Sequence, residues 1–371
     1  MTEDVFDPAK SVVDRTIVVN DAVMIPWADA ERSGFRRWVA TLRSDGNLVP
    51  EAACWRSLDE VVTVDPDTVP DVSPEDLPGR WLFGGIFYAH FGHFLCETLS
   101  RLWALDHVGP VDGIIFYPKK KMTWPNRLIR PYQPFFDALG FQDLKIIAPN
   151  EAQRIGELVV PEQGFGVGEM AAGRPEFRTF MIKRLGQDIQ PNGPEKIYVS
   201  RSRLMSKRGT ILAEQRLEDL LMEDGYEIFH PQEHAIHEQI ARYKAAKVIV
   251  SMDASPLHLA GFVVDPTTKV AILNRAPSRN IDDYVRQFKW FRGITPATLD
   301  TIERFWSPAD KRLVRRETIG LLDYGRVGAF MAERGFVTDA SKWHSLSEEE
   351  VSQAVAEREE RLGTELIEYK R

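Results

Sequence analysis

Between residues 196 and 273 four short apolar runs, KIYVS, YEIFHP, KVIVS and KVAIL, alternate with stretches of helical pattern at 214–224, at 238–246 and from about Pro256. Strand-length runs rich in Val and Ile, spaced by helix-length segments, are the signature of βαβ units on a largely parallel sheet. This is a nucleotide-domain pattern. In such a sheet ligands gather beyond the carboxyl ends of the strands.

The first half carries a weaker version of the same alternation. A helix is expected around 91–106, followed by GIIFYP, the aromatic segment RPYQPFFDALGF, then KIIAP and ELVVPEQ. Residues 1–80 read as edge strands and connections, with a Pro/Asp-rich loop DPDTVPDVSPEDLPG. GQDIQPNGPEK, at 186–196, has the composition of a linker. The expected organisation is therefore an α/β domain at 1–188, a second α/β domain at 189–300 and a helical extension at 301–371. Two such halves would face each other across a cleft, a common place for a ligand. Ser347 with Glu350 three residues later marks a capped helix in the extension.

Composition bounds the function. The chain has 371 residues, 43% apolar and 27% charged, enough for a full core. A net charge of −8 argues against a broad grip on nucleic acid. Two cysteines, Cys54 and Cys96, are too few for a disulfide framework or a cysteine zinc site. The acidic start MTEDVFDPAK lacks a long apolar run, so no signal peptide is expected. No window approaches the roughly 18 apolar residues of a membrane span. The expectation is a cytoplasmic protein whose membrane association, if any, is peripheral.

Two strand ends in the second half carry chemistry. YVSRSRLMSKRG places Ser200, Arg201, Arg203, Lys207 and Arg208 directly after a strand. Such a cluster pairs well with a diphosphate, and equally reads as a solvated basic loop. VIVSMDASPLHLAGF places Asp253, Ser255 and His258 after another, with Ser255 as expected N-cap and Pro256 in the first turn. A helix N-terminus suits phosphate. An ordinary capped helix reads the same way.

YAHFGHFLCETLSRLW, at 88–103, sets His90, His93, Glu97 and Arg101 at spacings of three, four and four, one face of a regular helix. Three readings stand side by side. His93 and Glu97 could be two ligands of a metal whose third ligand is not evident. They could be a core histidine held by a glutamate. They could be a general base, an imidazole oriented by a carboxylate, with Arg101 holding Glu97 ionised.

Taken in order, GHFLCETLSRLW, KIYVSRSR with KRGTILAE, and GYEIFHPQEHAIHEQIARYKAAKVIVSMDASPLH resemble glycosyltransferase family 61. The resemblance spans about 85–275. It implies a GT-B-like fold of two Rossmann-like domains and inverting transfer from a nucleotide sugar without a metal or other cofactor. The matched positions are His93, Glu97, Arg101, Arg201, Glu214, Gln239 and Ser255. His93 and Glu97 become the catalytic candidates. Ser200, Arg201, Lys207, Asp253, Ser255 and His258 become donor-site candidates, with Arg101 and Glu214 in supporting or acceptor-side places. A UDP-sugar is the expected donor and a glycan or glycolipid hydroxyl the acceptor, in surface polysaccharide or glycoconjugate synthesis. The chain departs from the family pattern at Ala213, Asp253 and Ala254. A catalytically silent nucleotide- or glycan-binding module is the alternative. A Rossmann oxidoreductase is disfavoured, since no G-x-G-x-x-G follows a strand in the usual way.

Overall fold

The computed structural model describes residues 6–26, 36–64, 71–119, 126–204, 209–310, 313 and 317–371. The chain divides into two compact units, Met1–Asp188 and Ile189–Arg371.

The first unit is built on a six-stranded sheet. Its order is Ala40–Leu42, Ile17–Ile25, Gln153–Val160, Glu75–Phe87, Gly113–Pro118 and Lys145–Ile147. The last four are mutually parallel, and Ile17–Ile25 runs antiparallel to both its neighbours. After Glu75–Phe87 the chain steps outward twice, then returns to the other side with Gln153–Val160. The order therefore reverses between these two strands, and a crevice opens beyond their carboxyl ends, at Phe87 and Val160. Gly85 bends the strand there: its φ is +87° and the pairing slips between Phe83 and Gly85. The core beneath is Phe83, Ile86, Ile115, Tyr117, Ile155 and Leu158, all nearly inaccessible.

The second unit has a five-stranded, fully parallel sheet. Its order is Glu227–Phe229, Lys196–Val199, Val248–Met252, Lys269–Leu273 and Ala297–Leu299. The Val/Ile runs seen in the sequence are buried along almost their whole length, as central parallel strands must be. The chain lays down the Lys196–Val199 strand, places the next on one side of it and all later ones on the other. The reversal falls between Lys196–Val199 and Val248–Met252, which pair with Val199 opposite Ser251.

The 301–371 stretch differs from the expected helical extension. It contains helices Tyr324–Glu333 and Glu348–Leu362, the latter with the expected Ser347–Glu350 capping box. It also contains strands Arg304–Pro308, Ile319–Gly320 and Leu366–Lys370, which join Thr210–Ile211 in a four-stranded sheet. Tyr324, Val327 and Met331 of the first helix enter the core of the unit beside Tyr198 and Val250, so the segment completes that core. Among the described residues no helix is long and apolar enough to cross a membrane.

Candidate active site

At the crevice of the first unit the motif segment winds in three ways. Phe91–His93 is a single α-turn, Phe94–Thr98 has π-helical winding, and Leu102–Asp106 is a 3₁₀ turn. One continuous helix over 91–106 is thus replaced by a compact, irregular coil. All residues from Phe94 to Thr98 are buried, with Phe94 packed among the rings of Phe87, Tyr132, Phe135 and Phe136. Thr98 pins the coil to the strand end: its hydroxyl donates to the Ile86 carbonyl (3.1 Å) and accepts from the Tyr88 amide (2.9 Å).

His93 and Glu97 remain partners. His93 Nδ1 meets Glu97 Oε2 in a short contact; the carboxylate is buried and the imidazole side chain is 24% exposed. On its other side His93 Nε2 lies 3.2 Å from Arg56 Nη2, contributed by the strand Trp55–Ser57. The ring is further flanked by Tyr88 and His90, at centroid distances of 5.4 and 5.0 Å.

Arg101 departs from the expected role. Wider winding shifts its phase, and its guanidinium donates to the carbonyls of Glu51 (3.3 Å), Ala53 (2.6 Å) and Pro161 rather than holding Glu97. It ties the coil to the end of Gln153–Val160 across the reversal. Beside it lies a cavity of about 940 Å³, lined by apolar groups such as Val39, Trp55 and Met170 and by Arg15, Arg101, Tyr117 and Glu162. A small void that touches Glu97 shares Trp55, Arg101 and Gln163 with that cavity.

In the second unit every parallel strand is followed at once by a polar residue. His230, Ser200, Asp253, Asn274 and Asp300 line the carboxyl edge in sheet order, and the first four are buried. Among the described residues His230 Nδ1, Asp253 Oδ2 and Asn274 Oδ1 have no hydrogen-bond partner. Buried polar atoms are rarely left so unless a ligand or water completes them.

Two arginines stand at the strand ends beside the reversal. Arg201 donates to the Gly209 carbonyl (2.8 and 3.1 Å). Burial and the neighbouring Arg275 push its guanidinium down to about 10, while Glu214 and Asp253 pull the other way. Arg275 is held by Asp253: its amide donates to Oδ1 (3.0 Å) and its Nε to the Asp253 carbonyl (3.0 Å). Burial raises the Asp253 carboxyl above its ordinary range, opposed chiefly by Arg275.

The other sequence candidates fall into several places. Glu214 is an anchor, accepting from Tyr198 Oη (2.9 Å), the Arg201 amide (2.7 Å) and Thr210 Oγ1, so it shapes the Arg201 loop from beneath. Ser200 hydrogen-bonds Glu218 and Ser202. Ser255 stands at the N-cap of Pro256–Val263, but its side chain makes no capping bond because its backbone is already helical. Pro256 brings no amide hydrogen, and the Leu257 and His258 amides donate to the Ala254 and Ser255 carbonyls (2.9 and 3.0 Å). His258 turns toward helix Ile281–Arg292, with Nδ1 2.6 Å from Gln287 Oε1. Gln239 clamps the Pro231 and His234 carbonyls (2.8 and 2.9 Å). Arg203 pairs with Glu233 at the surface. Lys207 and Arg208 lie outside the described residues. Among the described residues no group of three or more His, Cys, Asp or Glu side chains is placed to hold a metal ion.

Arg56, His230, Asn274, Arg275 and Asp300 were not singled out from the sequence. The last four had a signal, a polar residue at the close of each apolar run, as in YEIFHP and KVAILNR. Arg56 had none, since 37 positions separate it from His93.

The sequence model of the family Glycosyltransferase 61 matches residues 91–284, just over half of the chain. The matched span opens on the turn that carries His93 and closes on Tyr284, whose ring lies against His258. No curated protein matches the chain.

Proposed function

The chain belongs to glycosyltransferase family 61, and from that premise we propose that it is an inverting, metal-independent transferase moving a sugar from a nucleotide-sugar donor to a hydroxyl acceptor. The observation that carries this reading is the placing of Arg201 after Lys196–Val199 and of Arg275 on Asp253, after the paired strand Val248–Met252, at the order reversal of the parallel sheet and just ahead of Pro256–Val263. A diphosphate needs two or three positive groups there, and this chain supplies them from its own residues.

In this reading the second unit holds the donor, a UDP-sugar in the first instance. The first unit prepares the acceptor, a glycan or glycolipid hydroxyl in surface polysaccharide or glycoconjugate synthesis. A mostly parallel sheet in the first unit and a fully parallel one in the second support a GT-B-like assignment. The acceptor oxygen attacks the anomeric carbon as the bond from that carbon to the diphosphate oxygen breaks. The leaving diphosphate takes the electron pair, met by Arg201, Arg275 and the positive dipole end of Pro256–Val263. The acceptor proton passes to His93 Nε2, and Glu97 steadies the resulting imidazolium through Nδ1–H. Single displacement inverts the anomeric centre.

The test is calorimetric binding of UDP, GDP and CMP with chelator present, followed by donor hydrolysis and transfer assays against a panel of nucleotide sugars. The expected result is that one nucleoside diphosphate binds without magnesium and stabilises the fold. Its release from the matching nucleotide sugar should require an acceptor. Binding without any transfer would support the silent-module alternative. No diphosphate binding at all would overturn the assignment of the second unit.

A further inference from the structure

His93 is bonded at both ring nitrogens, and the two partners fix its proton. A guanidinium can only donate, so Arg56 Nη2, 3.2 Å away, makes Nε2 an acceptor. An imidazole that accepts at Nε2 is neutral and carries its proton at Nδ1, which is then donated to Glu97 Oε2. This is the tautomer a base working through Nε2 requires, and its lone pair is covered.

Arg56 is placed firmly enough for this task. Its carbonyl accepts from the Val167 amide (2.9 Å). The neighbouring Trp55 peptide is bonded on both sides to the Gln163 side chain (3.0 and 2.6 Å). The guanidinium has a second, looser partner, Glu60, 3.9 Å from its Nε. The groups facing the imidazole are thus Glu97 on its own segment, Arg56 backed by Glu60 from the paired strands Trp55–Ser57 and Glu60–Val61, and the rings of Tyr88 and His90.

We propose that Arg56 is a positioning residue that caps the Nε2 lone pair of His93, pins the Nδ1–H tautomer and hands Nε2 over to the acceptor hydroxyl. A guanidinium cannot donate to a protonated nitrogen, so its bond to Nε2 lasts only while the lone pair is there, and the acceptor hydroxyl takes the place of Arg56 before its proton moves. When the acceptor proton arrives, movement of the guanidinium toward Glu60 relieves the repulsion. This rests on His93 being the base, but its first test does not.

That test is nitrogen-15 NMR of the full chain labelled at histidine, with the His93 signal assigned by its loss in His93→Asn. The wild-type ring should show the Nδ1–H tautomer at neutral pH. In Arg56→Ala the Nε2 resonance should move toward that of an imidazole nitrogen that accepts no hydrogen bond. Arg56→Gln, which keeps a donor without the charge, should fall between. An Nε2–H tautomer, or an Nε2 resonance unmoved in both variants, overturns the inference whether or not the protein transfers sugar. The second arm is kinetic: kcat should fall in Arg56→Ala with the donor KM little changed, and Arg56→Gln should recover part of the loss. A wild-type kcat in Arg56→Ala would show that Arg56 does not position the reacting group.

Discussion

Ala213 has φ +53°, a left-handed conformation that costs a residue with a β-carbon about 1–2 kcal/mol. Its carbonyl accepts from Tyr324 Oη at 2.8 Å, so the conformation is held from outside. The strain buys the sharp entry to Glu214–Glu223, which aims Glu214 at the Arg201 amide. Asparagine and glycine tolerate this conformation better than alanine does. Ala213→Gly should therefore raise stability by about 1 kcal/mol, read as a melting-temperature gain of about 2–4 °C. Asp253 makes the opposite case, strain by charge rather than by backbone. A carboxyl whose folded pKa is raised by burial adds stability while protonated, below its ordinary value of 3.8, and loses it as pH rises through the folded value. Asp253→Asn keeps an acceptor for the Arg275 amide without the charge. Thermal melts should show it at least as stable as the native chain at neutral pH, with the gap closing as the pH is lowered toward the ordinary carboxylate range. A variant that is less stable at neutral pH would mean that the Arg275 pairing outweighs the burial cost.

The coil at 91–106 shows why an element can be located in a sequence and still be misjudged in form. His93 and Glu97 are four apart and meet under either winding, so their pairing was legible. Arg101 was not, because its direction is set by carbonyls at Glu51, Ala53 and Pro161, 48 to 60 positions away. Local periodicity carries no trace of such bonds. The strands at 304–308, 319–320 and 366–370 escaped for a related reason: each is short, and each exists by pairing with a distant partner, Arg304 with Lys370 for one. The long parallel runs of the second unit were legible because burial on both faces writes itself into consecutive Val and Ile. If distant bonds set the winding of the coil, cutting one should loosen it. Thr98→Val keeps the shape and leaves the Ile86 carbonyl and Tyr88 amide without the hydroxyl they share, a loss of about 1–3 kcal/mol. The melting temperature should fall accordingly. Transfer should fall further than the fraction unfolded explains, since the His93–Glu97 contact rides on the same coil. A variant that loses stability but keeps full transfer per folded molecule would separate the clamp from the site.

At the scale of the whole molecule each unit has one large sheet, mostly parallel in the first and fully parallel in the second, with its own core and with polar residues gathered where its strand order reverses. The net charge of −8 gives no hint of this, because the arginines that matter are few and local. One edge has guanidinium groups and the positive end of a helix, suited to an anion. The other has an imidazole between a carboxylate and an arginine, suited to moving a proton. Such a division predicts that single substitutions separate binding from chemistry. Arg201→Ala should weaken nucleoside diphosphate binding and also slow transfer, since charge grows on the leaving group as the bond breaks. His93→Ala should leave diphosphate affinity unchanged and lower kcat by the 10²–10⁴-fold typical of a general base. Glu97→Gln should leave affinity unchanged as well and cost less, because its amide oxygen still accepts from Nδ1–H while the charge facing the imidazolium is lost. Calorimetry with the diphosphate and single-turnover transfer on the same preparations read the two effects apart. If His93→Ala loses diphosphate affinity as Arg201→Ala does, the proton-moving edge is part of the donor site. The assignment of one task to each unit then fails.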